Sequence, residues 1–167
     1  IRHIKVPTFN SAQVGAYLEN KGLKIGKLSD NVAQLSGGIP LYLHYISESL
    51  IKARESNYVK ILNNFPTLKA GEINTYHEYL LQNLQKGSLT IKVLSVLAYS
   101  HENIDANTIS QILSYTELQG SAEQIQEVLD NFSHLLRQKD GKSYSIFHNS
   151  FREFIIGKTP DWKTTFN

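Results

Sequence analysis

An amphipathic helix followed by a β-hairpin is predicted by residues 121–146, which read SAEQIQEVLDNFSHLLRQKDGKSYSI. Ser121 and Gln124 match a capping box, in which each side chain accepts a hydrogen bond from the other residue's backbone N–H. Apolar residues then recur at helical spacing at Ile125, Val128, Leu129, Phe132, Leu135 and Leu136. We therefore expect a helix from Ser121 to Leu136.

The turn of the hairpin is indicated by Asp140-Gly141, within Lys139-Asp-Gly-Lys142. Asp-Gly is a strong short-range hairpin signal because both positions of the turn need a positive φ. Leu136 lies before this turn, and Tyr144 and Ile146 alternate after it, as in a strand with one buried face.

Two further helices precede this segment. The helix that starts after Ser88 is apolar nearly all round, at Leu89, Ile91, Val93, Leu94, Val96, Leu97 and Ala98, and should be central. Asp105 is a candidate N-cap for the next helix, which runs to about Ser114, with Ile104 stapled onto Ile109. Three helices and then a hairpin is the order of a winged helix.

A last short helix, from about His148 to Ile156, completes the expected winged-helix domain at residues 88–156. Residues 157–167 show no periodicity and are left unassigned.

The front half of the chain is also helical by periodicity. Leu28, Val32 and Leu35 mark one short helix; Leu43, Ile46 and Leu50, after Pro40, mark a second. A third is marked by Ile73, Tyr76, Leu80, Leu81 and Leu84, and Gly87 is well placed to cap its end. We therefore expect a mainly α protein, with a helical subdomain at residues 1–87 ahead of the winged helix.

Composition excludes several classes. The chain has 167 residues, a net charge of +2 and 41% hydrophobic residues, with no Cys and no Met. It can form neither a disulfide nor a thiolate site, and no apolar run approaches the roughly 20 residues that span a bilayer. We expect a cytoplasmic protein without membrane contact, and the missing Met suggests a fragment of a longer one.

Catalytic motifs are absent from the sequence. It has no Walker phosphate-binding loop, no Gly-x-Gly-x-x-Gly, no His-Glu-x-x-His and no Gly-x-Ser-x-Gly. Its six histidines lie far apart, at His3, His44, His77, His101, His134 and His148. We expect no catalytic residue and no metal site in this chain alone.

Nucleic-acid binding is opposed by charge. The helix expected to enter a major groove carries Glu123, Glu127 and Asp130 but no Lys or Arg. Phosphate contact requires positive charge, which is found only on the hairpin, at Arg137, Lys139 and Lys142. We therefore do not expect nucleic acid to be a partner.

Two motifs together carry a family resemblance. Residues 35–43 read LSGGIPLYL and residues 144–154 read YSIFHNSFREF. In this order and at this distance they resemble the Gly-x-Pro motif of the helical lid and the His motif of the winged helix in STAND signal-transducing NTPases, the class that contains the NACHT and NB-ARC proteins. Residues 6–9, VPTF, are similar to the exit from the last nucleotide-domain strand into the lid.

The resemblance implies a nucleotide-dependent switch that binds ADP or ATP. Residues 1–87 would cap the adenine through Gly38 and Pro40, and His148 would contact the β-phosphate of ADP in the closed state. The phosphate-binding loop and the Mg²⁺ ligands would belong to an upstream domain and the sensor to a downstream one, so hydrolysis is not expected from these residues alone. ADP would hold a closed monomer, and ATP would favour opening and homo-oligomerisation.

One departure from the family pattern concerns the His motif. Many members have Met-His-Asp where this chain has Phe147-His148-Asn149, so the carboxylate is missing. The pattern with Ser150 and Phe151 is nearer the NACHT-like and bacterial members.

Two alternatives stay open at this point. One is a DNA-binding regulator, or an origin-recognition-type AAA+ lid plus winged helix. The other is a protein-interaction adaptor that binds a partner through exposed apolar surface.

Overall fold

The computed structural model describes residues 7–24, 26–69, 72–82, 88–100, 102–116 and 120–159. It is mainly helical with a small antiparallel sheet, which confirms the coarse fold class. The chain divides into two compact units, the first ending at Leu80 and the second beginning at Leu81. The boundary expected after residue 87, with its glycine cap, lies outside the described residues.

The first unit contains five helices among its described residues: α1 (Ser11–Asn20), α2 (Leu28–Ser36), α3 (Pro40–Ile51), α4 (Tyr58–Leu62) and α5 (Ile73–Leu81). The predicted helices α2 and α3 are confirmed, and Pro40 occupies the first helical position of α3. The predicted third helix is confirmed as α5 up to Leu81, and Leu84 lies outside the described residues. Helix α4 was not predicted, because five residues after a short 3-10 turn are too few to establish a period.

An aromatic cluster fixes α3 in the first unit. The rings of Tyr42 and Tyr76 lie 4.7 Å apart between centroids, and Phe65 stacks on Tyr76 at 5.6 Å. The Tyr42 hydroxyl donates to the carbonyl oxygen of Pro66 at 2.7 Å. Burial, with a smaller contribution from Tyr79, raises the pKa of the Tyr42 phenol far above its ordinary value, so it stays a neutral donor. The start of α3 is therefore held on a rigid core.

The second unit contains α6 (Leu89–Tyr99), β1 (Ile104–Asp105), α7 (Ala106–Ser114), α8 (Ala122–Asn131), β2 (Leu136–Lys139), β3 (Ser143–Ile146) and α9 (Asn149–Lys158). The strands form an antiparallel sheet in the order β1-β3-β2. Helix α6 is the centre of this unit, as predicted, since residues 93–98 are all buried.

Both predicted N-caps are confirmed. The side chain of Asp105 accepts from the backbone N–H of Thr108 at 2.7 Å and starts α7. Ser121 and Gln124 make the reciprocal bonds of a capping box at the start of α8, at 3.3 and 3.0 Å.

The predicted helix from Ser121 to Leu136 was wrong at its end. Helix α8 stops at Asn131, residues 133–135 form a 3-10 turn, and Leu136 begins β2 opposite Ile146. The returning chain supplies the reason: the backbone N–H of Phe147 donates to the carbonyl oxygen of Leu135 at 2.9 Å. Leu135 and Leu136 are both buried although they follow the end of α8. The apolar pattern therefore continues past the helix and does not mark its end.

The Asp-Gly hairpin is confirmed. Asp140 and Gly141 have φ of 53° and 66°, and the N–H of Lys142 donates to the carbonyl oxygen of Lys139 at 3.2 Å. Positive φ at both central positions is the signature of a type I′ turn, whose twist matches that of the strands. Strand β1 was not predicted, because two residues opposite Tyr144 and Ser143 are too few for an alternating pattern.

Helix α9 is confirmed with shifted ends. It runs two residues past the predicted domain end at residue 156, and Thr159 closes it as a buried cap. Residues 160–167 lie outside the described part of the chain. In the parts described, none of the helices has both the length and the apolar character that crossing a bilayer requires.

Candidate functional site

The Gly-x-Pro turn joins α2 to α3. Gly37 ends α2 in the left-handed region with φ 54°, and Gly38 follows with φ 69°. The N–H of Phe9 donates to the carbonyl oxygen of Gly38 at 2.7 Å, and a Cβ at Gly38 would overlap the carbonyl oxygen of Phe9. Only glycine fits here, since both the positive φ and the close approach exclude a side chain.

Ser36 stabilises the same turn through two hydrogen bonds. Its buried hydroxyl oxygen accepts from the N–H of Gly38 at 3.2 Å, and its carbonyl oxygen accepts from the N–H of Ile39 at 2.9 Å. Polar backbone groups in this buried turn therefore have partners. The structure gives Gly38 a packing role; its contact with the adenine stays a prediction.

Pro40 follows at the first helical position, with Ile39 as N-cap residue. Its ring has no N–H to satisfy, and the φ of proline suits a helix start. The residue as a whole is half-buried. Gly38 and Pro40 are thus brought into one turn.

His148 is exposed and is the N-cap of α9, between β3 and the helix. Its Nδ1 accepts a hydrogen bond from the backbone N–H of Ser150 at 3.1 Å and lies 2.9 Å from the Ser150 Oγ. A backbone N–H can only donate, so Nδ1 is unprotonated and the ring proton of the neutral imidazole is on Nε2. In this tautomer the side chain can donate one further hydrogen bond, through its Nε2–H.

Packing holds the start of α9 in place. Phe151 and Ile155 are fully buried, and the Arg152 Nη1 donates to the carbonyl oxygens of Ala98 and Ser100 at 2.8 and 2.6 Å. A cation at the end of α6 also suits the negative end of its dipole. Sequence reasoning missed this role of Arg152, because its partners lie 54 and 52 positions away and leave no local pattern.

Gly38 and Pro40 belong to the first unit and His148 to the second. That Pro40 contacts the adenine and His148 the β-phosphate of one bound nucleotide stays a prediction.

The charges on the second unit follow the sequence expectation. Helix α8 exposes three carboxylates, those of Glu123, Glu127 and Asp130. They line a shallow groove together with Gln126 of the same helix and Asn107 of α7. The cations of the hairpin are exposed as well, and the guanidinium of Arg137 lies 5.7 Å from the centre of the Phe147 ring. Helix α8 thus presents negative charge to solvent.

The histidines form no metal centre in the described residues, where no group of three or more His, Asp or Glu side chains converges. His44 lies 4.0 Å from Glu48, which also pairs with Lys21 at 3.1 Å. Burial lowers the pKa of His44, and this outweighs the opposing effect of Glu48. The cluster is a surface ion pair beside a histidine whose neutral form is favoured by burial.

Comparisons of the chain with protein-family models, with curated proteins and with solved structures found no match. A family assignment therefore depends on the two motifs and on the geometry just described.

Proposed function

We propose that this chain is the lid and winged-helix portion of a STAND-type ATPase, and that it acts as the nucleotide-sensing part of a molecular switch. The observation that carries the proposal is the environment of His148. Its Nδ1 is occupied by the start of α9, its Nε2–H is left as a donor, and the residue is exposed. Such a donor fits a phosphate oxygen.

The order of elements in the second unit supports the winged-helix part of the proposal. A helix, a short strand, two helices and a hairpin follow one another, and the hairpin and the short strand make a three-stranded sheet. This is the arrangement that winged helices share, and it has the hairpin in the position of the wing.

The switch would operate through contacts that differ between two states. Pro40 would offer the apolar surface of its ring to the adenine. His148 would donate to the diphosphate only while the two units and an upstream nucleotide domain are closed. Bound ADP or ATP supplies the phosphates, and Mg²⁺ would be held by that upstream domain. A contact present in one state alone shifts the population toward it, which is how ADP would hold the protein closed and ATP would favour opening and homo-oligomerisation.

The decisive test separates the capping role of His148 from its phosphate role. In the gene product that carries the nucleotide domain, His148→Ala removes both roles, whereas His148→Asn keeps a good N-cap and removes the imidazole Nε2–H. We expect both variants to release ADP roughly 10- to 100-fold faster, the range for a charge-assisted hydrogen bond. Unchanged ADP release in His148→Asn would mean that the histidine is only a cap.

A DNA-binding regulator is the less favoured alternative. The exposed face of α8 is acidic, and a duplex would be repelled by the helix that should read it. Only the short run of hairpin cations favours this function.

An adaptor is favoured by Tyr115, whose side chain is 91% exposed at the end of α7. Absence of a Walker loop in the gene upstream of residue 1 would favour the adaptor over the switch. If the chain is such a switch, we expect it in the cytoplasm, and the absence of cysteine fits a reducing compartment.

A further inference from the structure

We infer that Ser150 is a positioning residue for His148: its two donors hold the imidazole in the Nε2–H tautomer and aim a single N–H outward for a diphosphate oxygen. This inference rests on the proposed function, but its first step concerns only atoms within α9 and its cap.

The tautomer follows from the donors on one side of the ring. Nδ1 of His148 accepts from the backbone N–H of Ser150 at 3.1 Å, so this nitrogen carries no proton. The Ser150 Oγ lies 2.9 Å from the same nitrogen. A hydroxyl beside an unprotonated nitrogen can only donate to it, so both donors of Ser150 converge on one lone pair.

The other neutral tautomer is disfavoured by the same two atoms. In the Nδ1–H tautomer the ring would turn a proton toward the N–H of Ser150, and it would lose the cap of α9. Of the two neutral tautomers, the geometry therefore selects the one whose proton is on Nε2.

The direction of that donor is tied to the core. Ser150 is the second residue of α9, and the next residue, Phe151, is fully buried. Arg152 binds the end of α6 through two carbonyl oxygens. The turn to which the imidazole is hydrogen-bonded is therefore anchored to the core of the second unit, which helps to preorganise a binding group.

The first experiment reads the tautomer in the 167-residue chain without nucleotide. Long-range ¹H–¹⁵N correlation spectra identify which ring nitrogen of His148 carries the proton. We expect one tautomer, with the proton on Nε2, in the wild-type chain, a mixture of tautomers in Ser150→Ala, and recovery in Ser150→Thr. Asn149→Ala is the control, since Asn149 bonds Glu153 and not the imidazole, and it should leave the His148 signals in place.

Two results of this experiment would overturn the inference. One is an Nδ1–H population in the wild-type chain. The other is an unchanged tautomer in Ser150→Ala, which would mean that the backbone N–H alone holds the ring.

The second experiment measures ADP release from the gene product with its nucleotide domain. Ser150→Ala should accelerate release roughly three- to tenfold, less than His148→Asn, because one hydrogen bond to the ring is lost and the donor itself is kept. A response to His148→Asn without one to Ser150→Ala would overturn the positioning role. If neither variant alters ADP release although the tautomer shifts, the proposed function fails and the tautomer assignment stands.

Discussion

Phe9 and Gly38 are joined backbone to backbone: the N–H of Phe9 donates to the carbonyl oxygen of Gly38 at 2.7 Å. The contact leaves no room for a side chain at Gly38, whose φ of 69° also belongs to the region that glycine favours. The segment that enters the first unit is therefore bound to the turn that starts α3 and presents Pro40.

Gly38→Ala should destabilise the first unit by at least about 2 kcal/mol, since alanine with a positive φ is strained and its methyl group would push Phe9 away. Gly15→Ala is the matched control in the same unit. It lies inside α1 with open space around it, so we expect stabilisation by about 0.5–1 kcal/mol. Urea unfolding followed by circular dichroism measures both variants. Equal stability of the two alanine variants would refute the close approach.

Arg152→Met should destabilise the second unit by about 1.5–3 kcal/mol, because two backbone carbonyl oxygens at the end of α6 lose a charged donor. Arg152→Lys should recover only part of this: both hydrogen bonds come from the single nitrogen Nη1, and an ammonium also carries several donors, but it lies on a side chain of different length and shape. Lys139→Gln on the exposed hairpin is the control and should change stability by no more than about 0.5 kcal/mol. The same unfolding experiment applies, and full recovery by lysine would show that charge alone matters.

The stability of the second unit should fall at low pH because of the carboxyl group of Asp105. The hydrogen bond from the backbone N–H of Thr108 lowers the pKa of this carboxyl. Because the folded pKa lies below the unfolded one, the cap stabilises the fold above about pH 4 and loses this effect as the pH falls through the lowered folded value. Asp105→Asn still caps α7 but does not titrate. Its urea midpoint should fall less between about pH 4 and pH 2 than that of the wild type; identical pH profiles would contradict the assignment.

Duplex DNA should not bind the chain, even at low salt, because the exposed face of α8 carries Glu123, Glu127 and Asp130. A gel-shift series from low to high salt provides the measurement. As a positive control, replacing these three carboxylates with Gln or Asn should create weak binding that falls with salt, through the hairpin cations. Binding by the wild type that falls steeply with salt would restore the DNA-binding alternative.

Part of the candidate site could be predicted from sequence and part could not. The motifs selected Pro40 and His148. The place of Pro40 at a helix start could be predicted, because the fixed φ of the proline ring favours this position. The packing role of Gly38 and the contacts of Arg152 could not be predicted, since both involve chain segments far away in sequence.

The sequence itself determined most of the helices, namely α2, α3, α5, α6, α7 and α9, together with the start of α8. It also determined the caps at Asp105 and Ser121 and the Asp-Gly turn, because each of these features depends on residues within about four positions of one another. Tertiary structure alone decided where α8 ends, since the carbonyl oxygen of Leu135 takes the returning N–H of Phe147. It also decided that Ile104 forms a strand, since a two-residue strand exists only where β3 pairs with it. In both cases the backbone hydrogen bonds are made to a distant segment, and the local apolar pattern is the same with or without them.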